Sequence, residues 1–141
     1  MSDIRAAAVA GTWYPAEGDR LVREVDAYLE AAEGTPPVAD LVALIAPHAG
    51  LMYSGPVAAH AYRQLLNRPI ETIVLVGPSH YVPFSGVSIW PGGSWQTPFG
   101  NIAVDEPLAA AIAAAAPAIV VERPDAPAGL VHALRATFSP D

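Results

Sequence analysis

Two short apolar runs, separated by a helical segment, constrain the fold of this chain more than any other feature. Residues 41–46 and 73–76 are continuously apolar, which is typical of strands that are buried on both faces of a parallel sheet. Between them, Ser54 and Pro56 suit the start of a helix that would continue to about Asn67. Strand, helix and strand would form a βαβ unit with a right-handed crossover. The sequence therefore predicts an α/β fold, with a mostly parallel sheet and flanking helices.

The rest of the chain adds further predicted elements. A helical pattern runs from Glu17 to about Glu33, with one apolar face made of Leu21, Val25, Tyr28 and Leu29. Asp105 is predicted to cap a helix through the alanines that follow it. Residues 87–90 and 118–121 are predicted to be short strands, and 72–76 the second strand of the βαβ unit. Residues 95–100 are predicted to be a loop, and 122–141 show no clear period. We interpret residues 1–141 as a single domain.

Charge and residue usage exclude several classes of function. The chain has 7 Lys and Arg residues against 14 Asp and Glu residues, a net charge of −7. Nucleic-acid partners are not expected, because phosphate backbones are bound by clustered basic residues. The absence of cysteine means that a metal ion must be held by His, carboxylate or backbone oxygen. Neither a Gly-x-Gly-x-x-Gly motif nor a P-loop is present, so no nucleotide cofactor is expected.

The sequence also gives no indication of a membrane partner. The N-terminus carries Asp3 where a signal peptide would carry basic residues. The longest apolar run, 107–121, is interrupted by Pro117 and is shorter than the ~20 residues that a membrane span needs. We expect a cytoplasmic protein.

Two histidines follow the two apolar runs. His48 comes after Pro47, and His80 comes after Pro78 and Ser79, so a proline ring stiffens each loop. Ligands of open parallel sheets bind outside the carboxyl ends of the strands. If the two strands pair directly, the imidazoles can share one metal ion. A hydrogen-bonded loop histidine is the alternative for each residue, and both interpretations stay open at this point.

Other residues are weaker candidates. His60 falls within the predicted helix and is interpreted as a surface or packing residue, whereas His132 lies in the unpatterned tail and is ambiguous, a possible additional site residue. Ser79 lacks a Gly-x-Ser-x-Gly elbow, so a serine hydrolase is not favoured. Several residues near the histidine motifs are candidates to line a pocket, although packing on the sheet would explain the aromatic ones equally well: Trp13, Tyr14, Tyr53, Ser79 and Tyr81.

Four ordered blocks resemble the signature segments of the Memo-like family, which includes the AmmeMemoRadiSam system protein B. The blocks are residues 10–15, 46–62, 76–80 and 97–100, and the resemblance covers about 6–110. It implies a fold related to the class III extradiol dioxygenases, the non-haem iron enzymes that cleave aromatic rings. It also implies that His48 and His80 are ligands of iron or copper. The third ligand of such proteins comes from their C-terminal half.

The chain departs from this family at its C-terminal end. Family members are much longer, and Val131-His132-Ala133-Leu134-Arg135 stands where the family usually has Glu-His-Ser-Leu-Glu. His132 therefore matches the histidine of that motif without its flanking acids. We expect a C-terminally truncated Memo-like domain whose metal site is incomplete and which is not catalytically competent alone. A sheet that lacks strands exposes an edge, so self-association is also expected.

Two alternatives to a metal site stay open. The first is a metal-independent binding module, which would use the same pocket for a peptide or a small molecule. The second is a nonfunctional truncated remnant. The sequence does not identify the substrate. It does not identify the metal either, because imidazole binds iron, copper, zinc and nickel.

Overall fold

The computed structural model describes residues 4–78, 80 and 87–115, together with the backbone of residues 119–121 and 131–135. These residues form helices and strands, so the mixed α/β class is confirmed. The chain divides into two compact units. We call Ala8–Pro69 the helical unit, and Met1–Ala7 with Ile70–Asp141 the sheet unit. That the whole chain is one domain stays a prediction.

The helical unit begins its regular structure with α1 (Gly18–Ala31), close to the predicted range. The predicted apolar face is confirmed, since Leu21 is buried and Val25, Tyr28 and Leu29 are half-buried. The guanidinium of Arg63 donates a hydrogen bond to the Leu29 carbonyl oxygen at 2.7 Å. Leu29 is one of the last four residues of α1, whose carbonyls have no partner within the helix, so Arg63 stabilises this end.

The second helix, α2 (Leu51–Tyr62), starts and ends earlier than predicted. Its first turn is closed by the Gly50 carbonyl oxygen, which accepts hydrogen bonds from the backbone N–H groups of Tyr53 and Ser54. Ser54 therefore lies inside the helix, and its prediction as the N-cap was wrong. A 3₁₀ turn, Arg63–Leu65, follows α2, and Asn67 then adopts a φ of 60°, which ends the helical path.

Close packing of α1 on α2 depends on Gly55. A Cβ atom added to Gly55 would lie 2.7 Å from Cε2 and 2.9 Å from Cδ2 of Tyr28, and 3.2 Å from Cδ1 of Leu51. The buried stripe of α2 otherwise consists of small side chains, namely Ser54, Ala58 and Ala59. The helices can therefore approach closely because this face carries almost no side-chain volume.

Residues 41–46 do not form the strand that the sequence predicts. They have no regular secondary structure, and the side chains of Val42 and Ile45 are both 97% exposed. The predicted βαβ unit is therefore absent from the described residues, because its first strand has no pairing partner there. Leaving each of these side chains in water forgoes about 1.5–3 kcal/mol of burial free energy.

The sheet unit contains α3 (Glu106–Ala115) and the strands that the structure describes, which are β1 (Ile4–Arg5), β2 (Thr72–Val76), β3 (Val87–Ile89), β4 (Ser94–Thr97), β5 (Gly100–Ala103), β6 (Ile119–Val121) and β7 (Val131–Arg135). One sheet has the order β1-β4-β5 and the other β2-β7-β3-β6. The pairs β1 with β4, β3 with β6 and β3 with β7 are parallel, whereas β4 with β5 and β2 with β7 are antiparallel. The two longest pairings, β2 with β7 and β4 with β5, are antiparallel, so the predicted mostly parallel sheet is not confirmed.

A hairpin replaces the loop that was predicted at residues 95–100. The Thr97 hydroxyl donates to the Gly100 carbonyl oxygen at 2.8 Å and accepts from the Phe99 N–H at 3.1 Å. Gly100 has a φ of 112°, a conformation that side chains other than glycine rarely adopt. The turn is therefore built from Thr97 and Gly100, and it joins β4 to β5.

The core of the sheet unit lies between β3 and α3. Its buried members are Ile89, Trp90, Val104 and Ala109. The Arg5 guanidinium lies 5.2 Å from the ring centroid of Trp90 and 4.6 Å from that of Trp95, a cation–π arrangement that ties β1 to this core.

Asp105 caps α3 as predicted. Its Oδ1 accepts a hydrogen bond from the Leu108 N–H at 3.1 Å, which satisfies one of the N–H groups that a helix start leaves without a partner. Its Oδ2 accepts a hydrogen bond from the Thr72 hydroxyl at 3.0 Å. The Asp105 carboxylate therefore caps the start of α3 and also links α3 to Thr72, the first residue of β2.

We expect Gly55→Ala to lower the free energy of unfolding by about 0.5–2 kcal/mol, because overpacking costs about 1–3 kcal/mol and the gain in helix propensity returns only about 0.5–1 kcal/mol. Urea unfolding of the full chain, followed by circular dichroism, measures this change. Gly34→Ala is the matched control, since a Cβ there meets nothing within 4 Å. An alanine at Gly55 that left stability unchanged or raised it would contradict the close packing described above.

Candidate functional site

His48 lies in the helical unit, on the loop that leads into α2, and it is exposed. Two hydrogen bonds fix this loop from either side. The Leu51 N–H donates to the Trp13 carbonyl oxygen at 2.7 Å, and the hydroxyl of the buried Ser54 donates to the Ala49 carbonyl oxygen at 2.8 Å. The residues that follow His48 are thus anchored both to the turn at Trp13 and to the first turn of α2.

Three of the five predicted pocket residues share this unit with His48. A Cβ on Gly50 would lie 3.5 Å from the Trp13 carbonyl oxygen and 3.6 Å from Cδ2 of Tyr53, so the Trp13 turn, the His48 loop and α2 meet here. Trp13 and Tyr53 are exposed, whereas Tyr14 is half-buried. The Tyr14 carbonyl oxygen accepts a hydrogen bond from the Gly11 N–H at 2.8 Å and closes the turn.

The segment that precedes residues 41–46 is fixed by two polar side chains that the sequence analysis did not single out. Gln64 accepts a hydrogen bond from the Val38 N–H at 2.8 Å and donates to the Pro36 carbonyl oxygen at 3.0 Å. Arg68 donates to the carbonyl oxygens of Val38 and Ala39. These partners are 26–30 residues apart, so no local sequence pattern could have indicated them.

His80 lies in the sheet unit, after the end of β2, and it is also exposed. Since His48 and His80 belong to different units, a shared metal ion stays a prediction. Among the other predicted site residues, Ser79 and Tyr81 lie outside the described residues. His132 falls in β7, where its backbone pairs opposite Leu75 of the antiparallel strand β2.

His60 lies within α2, in the helix that the sequence predicts for it. It lies on the exposed side of α2, and its Nδ1 atom is 2.5 Å from the Thr35 hydroxyl oxygen. This contact links α2 to the segment after α1. His60 therefore offers a control histidine within the same unit as His48.

The described residues do not fit a complete metal site. Imidazole nitrogens are suitable donors for iron or copper. However, within this part of the chain no group of three or more His, Asp or Glu side chains lies where it could hold one ion.

None of the helices that the structure describes is long and apolar enough to cross a bilayer.

Comparison with known proteins identifies the family. The Memo-like protein family model matches residues 5–128. A MEMO1 family protein of Methanothermobacter thermautotrophicus is 43% identical over 116 residues, which is 77% of this chain and 42% of the relative. A MEMO1 family protein of Sulfurisphaera tokodaii is 40% identical over 116 residues, which is 75% of this chain and 41% of the relative. The protein memo-1 homolog of Caenorhabditis elegans is 36% identical over 104 residues, which is 74% of this chain and 29% of the relative.

The chain therefore belongs to the Memo-like family, as the ordered sequence blocks predicted. Its match spans less than half the length of these relatives. The family region includes both His48 and His80, because it extends from residue 5 to residue 128.

We expect Ser54→Ala to loosen the His48 loop and to lower the free energy of unfolding by about 0.5–1.5 kcal/mol, because the Ala49 carbonyl loses a part-buried partner. Faster amide exchange at Leu51 and Tyr53, measured by NMR, would report the loosening. The control is Thr12→Ala, which removes an exposed side-chain bond to the Val9 carbonyl oxygen within the same unit. Equal effects of the two substitutions would argue against a specific support by Ser54.

Proposed function

We propose that this Memo-like protein contributes His48 and His80 as two ligands of a non-haem iron or copper site. The observation that carries the proposal is that the family match over residues 5–128 contains both histidines, and that both are exposed on loops. Exposure makes each imidazole accessible to a metal ion from solvent. The ligand set of the proposed site is completed by a group outside the described residues.

The chemistry of the donors sets the strength of such a site. Two imidazoles alone hold a divalent ion weakly, and iron in non-haem oxygenases takes two histidines and one carboxylate. Kinship in fold with the extradiol dioxygenases is part of this proposal. Ring cleavage by this chain alone is not part of it, because the described residues supply no carboxylate to such a cluster.

A second candidate function is a metal-independent binding module for a peptide or a small molecule. It is favoured by two exposed aromatic residues at the His48 loop: the backbone of Trp13 and the ring of Tyr53 both lie next to Gly50. Aromatic rings present large apolar area at little cost in conformational entropy, and they are common anchors of binding sites.

The test is the metal content of the purified 141-residue chain after dialysis against a weak chelator. We expect iron or copper in the wild type at a substoichiometric level, and its loss in the His48→Ala/His80→Ala double variant. Elemental analysis measures the metal, and titration with ferrous or cupric ion gives the affinity, which we expect to fall at least about tenfold in the double variant.

His60→Ala is the matched control, because it removes an imidazole from the same unit without touching either proposed ligand. It should retain the metal content of the wild type. Equal metal in the wild type and in the double variant would refute the role of the two histidines. No metal in any variant, even under titration, would instead favour the binding module.

A further inference from the structure

Two tryptophan rings of the sheet unit contact the same cation. The guanidinium carbon of Arg5 lies 5.2 Å from the ring centroid of Trp90 and 4.6 Å from that of Trp95. Both distances fall within the roughly 6 Å at which the face of an aromatic ring attracts a cation. A cation shared by two indole rings is the arrangement of an aromatic cage, the kind of site that binds organic cations.

This cage belongs to the core of the sheet unit. Trp90 is 4% exposed, and the half-buried Trp95 packs against the same buried cluster. Arg5 is itself half-buried. The attraction between a cation and an aromatic ring is stronger where water is excluded, so a guanidinium at this position interacts more strongly than one on the open surface.

The ring of Trp90 is placed without a hydrogen bond of its own. Its Nε1 atom is buried and has no hydrogen-bond partner among the residues that the structure describes. A buried indole usually donates this hydrogen to an acceptor. The position of the Trp90 ring therefore depends on packing and on its contact with Arg5, and removal of the cation should be detectable at the ring.

Arg5 reaches the cage from a very short strand. β1 has only two residues, Ile4 and Arg5, which pair in parallel with Ser94 and Trp95 of β4. A ladder of two residues gives little backbone hydrogen bonding to hold an edge strand, and the side chain of Ile4 is 52% exposed. The Arg5 side chain thus provides a second attachment of β1, which extends from the strand into the core.

We propose that Trp90 and Trp95 form a binding site for a guanidinium group, that Arg5 fills this site from within the chain, and that the contact latches β1 onto β4. The sheet has the order β1-β4-β5, so detachment of β1 leaves β4 as an unpaired edge. An unpaired edge is a template for pairing with another chain, and the latch keeps this edge closed. The inference goes beyond the proposed metal function and does not depend on it.

The test is chemical rescue of Arg5→Ala, a variant in which the cage is empty. We expect its melting temperature to lie roughly 3–8 °C below that of the wild type, because the contact of a cation with two rings is lost. Methylguanidinium chloride should restore at least about half of this loss, and tryptophan fluorescence should report its binding with half-saturation on the order of 10 mM. The wild type should give no saturable response, because Arg5 already occupies its cage.

Amide hydrogen exchange tests the latch separately from the cage. The free ligand fills the cage of Arg5→Ala without drawing β1 back, so exchange of the β4 amides that face β1 should stay at least about tenfold faster than in the wild type. Wild-type exchange of β4 in Arg5→Ala would refute the latch. All these measurements contain EDTA, so they do not depend on a metal ion at His48 or His80.

Two ligands and two variants are the controls for cation recognition. Methylurea has a similar planar shape without the charge, and sodium chloride supplies the same ionic strength, so neither should rescue Arg5→Ala. Arg5→Met fills the cage with an apolar side chain and should bind no methylguanidinium. Trp95→Leu, added to Arg5→Ala, should weaken binding at least about tenfold, because it removes one of the two rings.

The opposite results would overturn the proposal. Equal rescue by methylurea would mean that the ligand fills a cavity without recognition of its charge. Binding that survives Trp95→Leu would place the cation elsewhere on this acidic chain, whose net charge is −7. If Arg5→Ala does not fold, Arg5→Lys and Arg5→Met decide the question. Arg5→Lys, which keeps a cation, should then melt at the higher temperature, and equal melting temperatures of the two would contradict a cation site.

Discussion

An apolar segment becomes a strand only where another strand offers backbone hydrogen bonds, and the architecture of this chain follows from that constraint. Residues 72–76 and 41–46 have similar apolar character, yet only the first forms a strand. Thr72–Val76 pairs along its whole length with Val131–Arg135 of the same unit. Residues 41–46 have no such neighbour in the described part of the chain, and they stay irregular although both of their ends are anchored. Residues 72–76 are also richer in β-branched side chains than 41–46, so intrinsic strand character and the supply of a partner both favour the first segment.

Features whose causes lie within a few residues were predictable from the sequence. Helix α1 follows from an apolar face at helical spacing, and the start of α3 follows from Asp105, which binds the Leu108 N–H three residues on. The β4–β5 hairpin was missed because residues 95–100 were interpreted as a loop, although a glycine with positive φ, such as Gly100, is common in hairpin turns. The contacts of Gln64 and Arg68 could not be predicted from the sequence, because their partners lie 26–30 residues away along the chain.

The candidate site shows the same division between local and distant causes. The sequence identified His48 by its place after an apolar run, and the structure puts it on an exposed and well-anchored loop. Ser54 was predicted to cap α2, but it lies inside the first turns of that helix, and its hydroxyl supports the His48 loop through the Ala49 carbonyl oxygen. The pairing of His48 with His80 was argued from two adjacent strands of a βαβ unit. Since the first of those strands is not formed, that argument loses its basis, and the metal proposal depends on family membership and on the exposure of both histidines.

The loop that carries His48 limits how tightly the proposed site can hold a metal ion. His48 lies two residues beyond Ala46, in a stretch without regular secondary structure. A metal site needs its ligands held in a narrow range of positions, and strands hold side chains more rigidly than loops do. The hydrogen bonds of Leu51 and Ser54 fix the residues after His48, whereas a ligated metal ion would fix the imidazole itself. Ordering of the loop and ligation would therefore stabilise each other, because an ion that binds only the ordered loop lowers the free energy of that state.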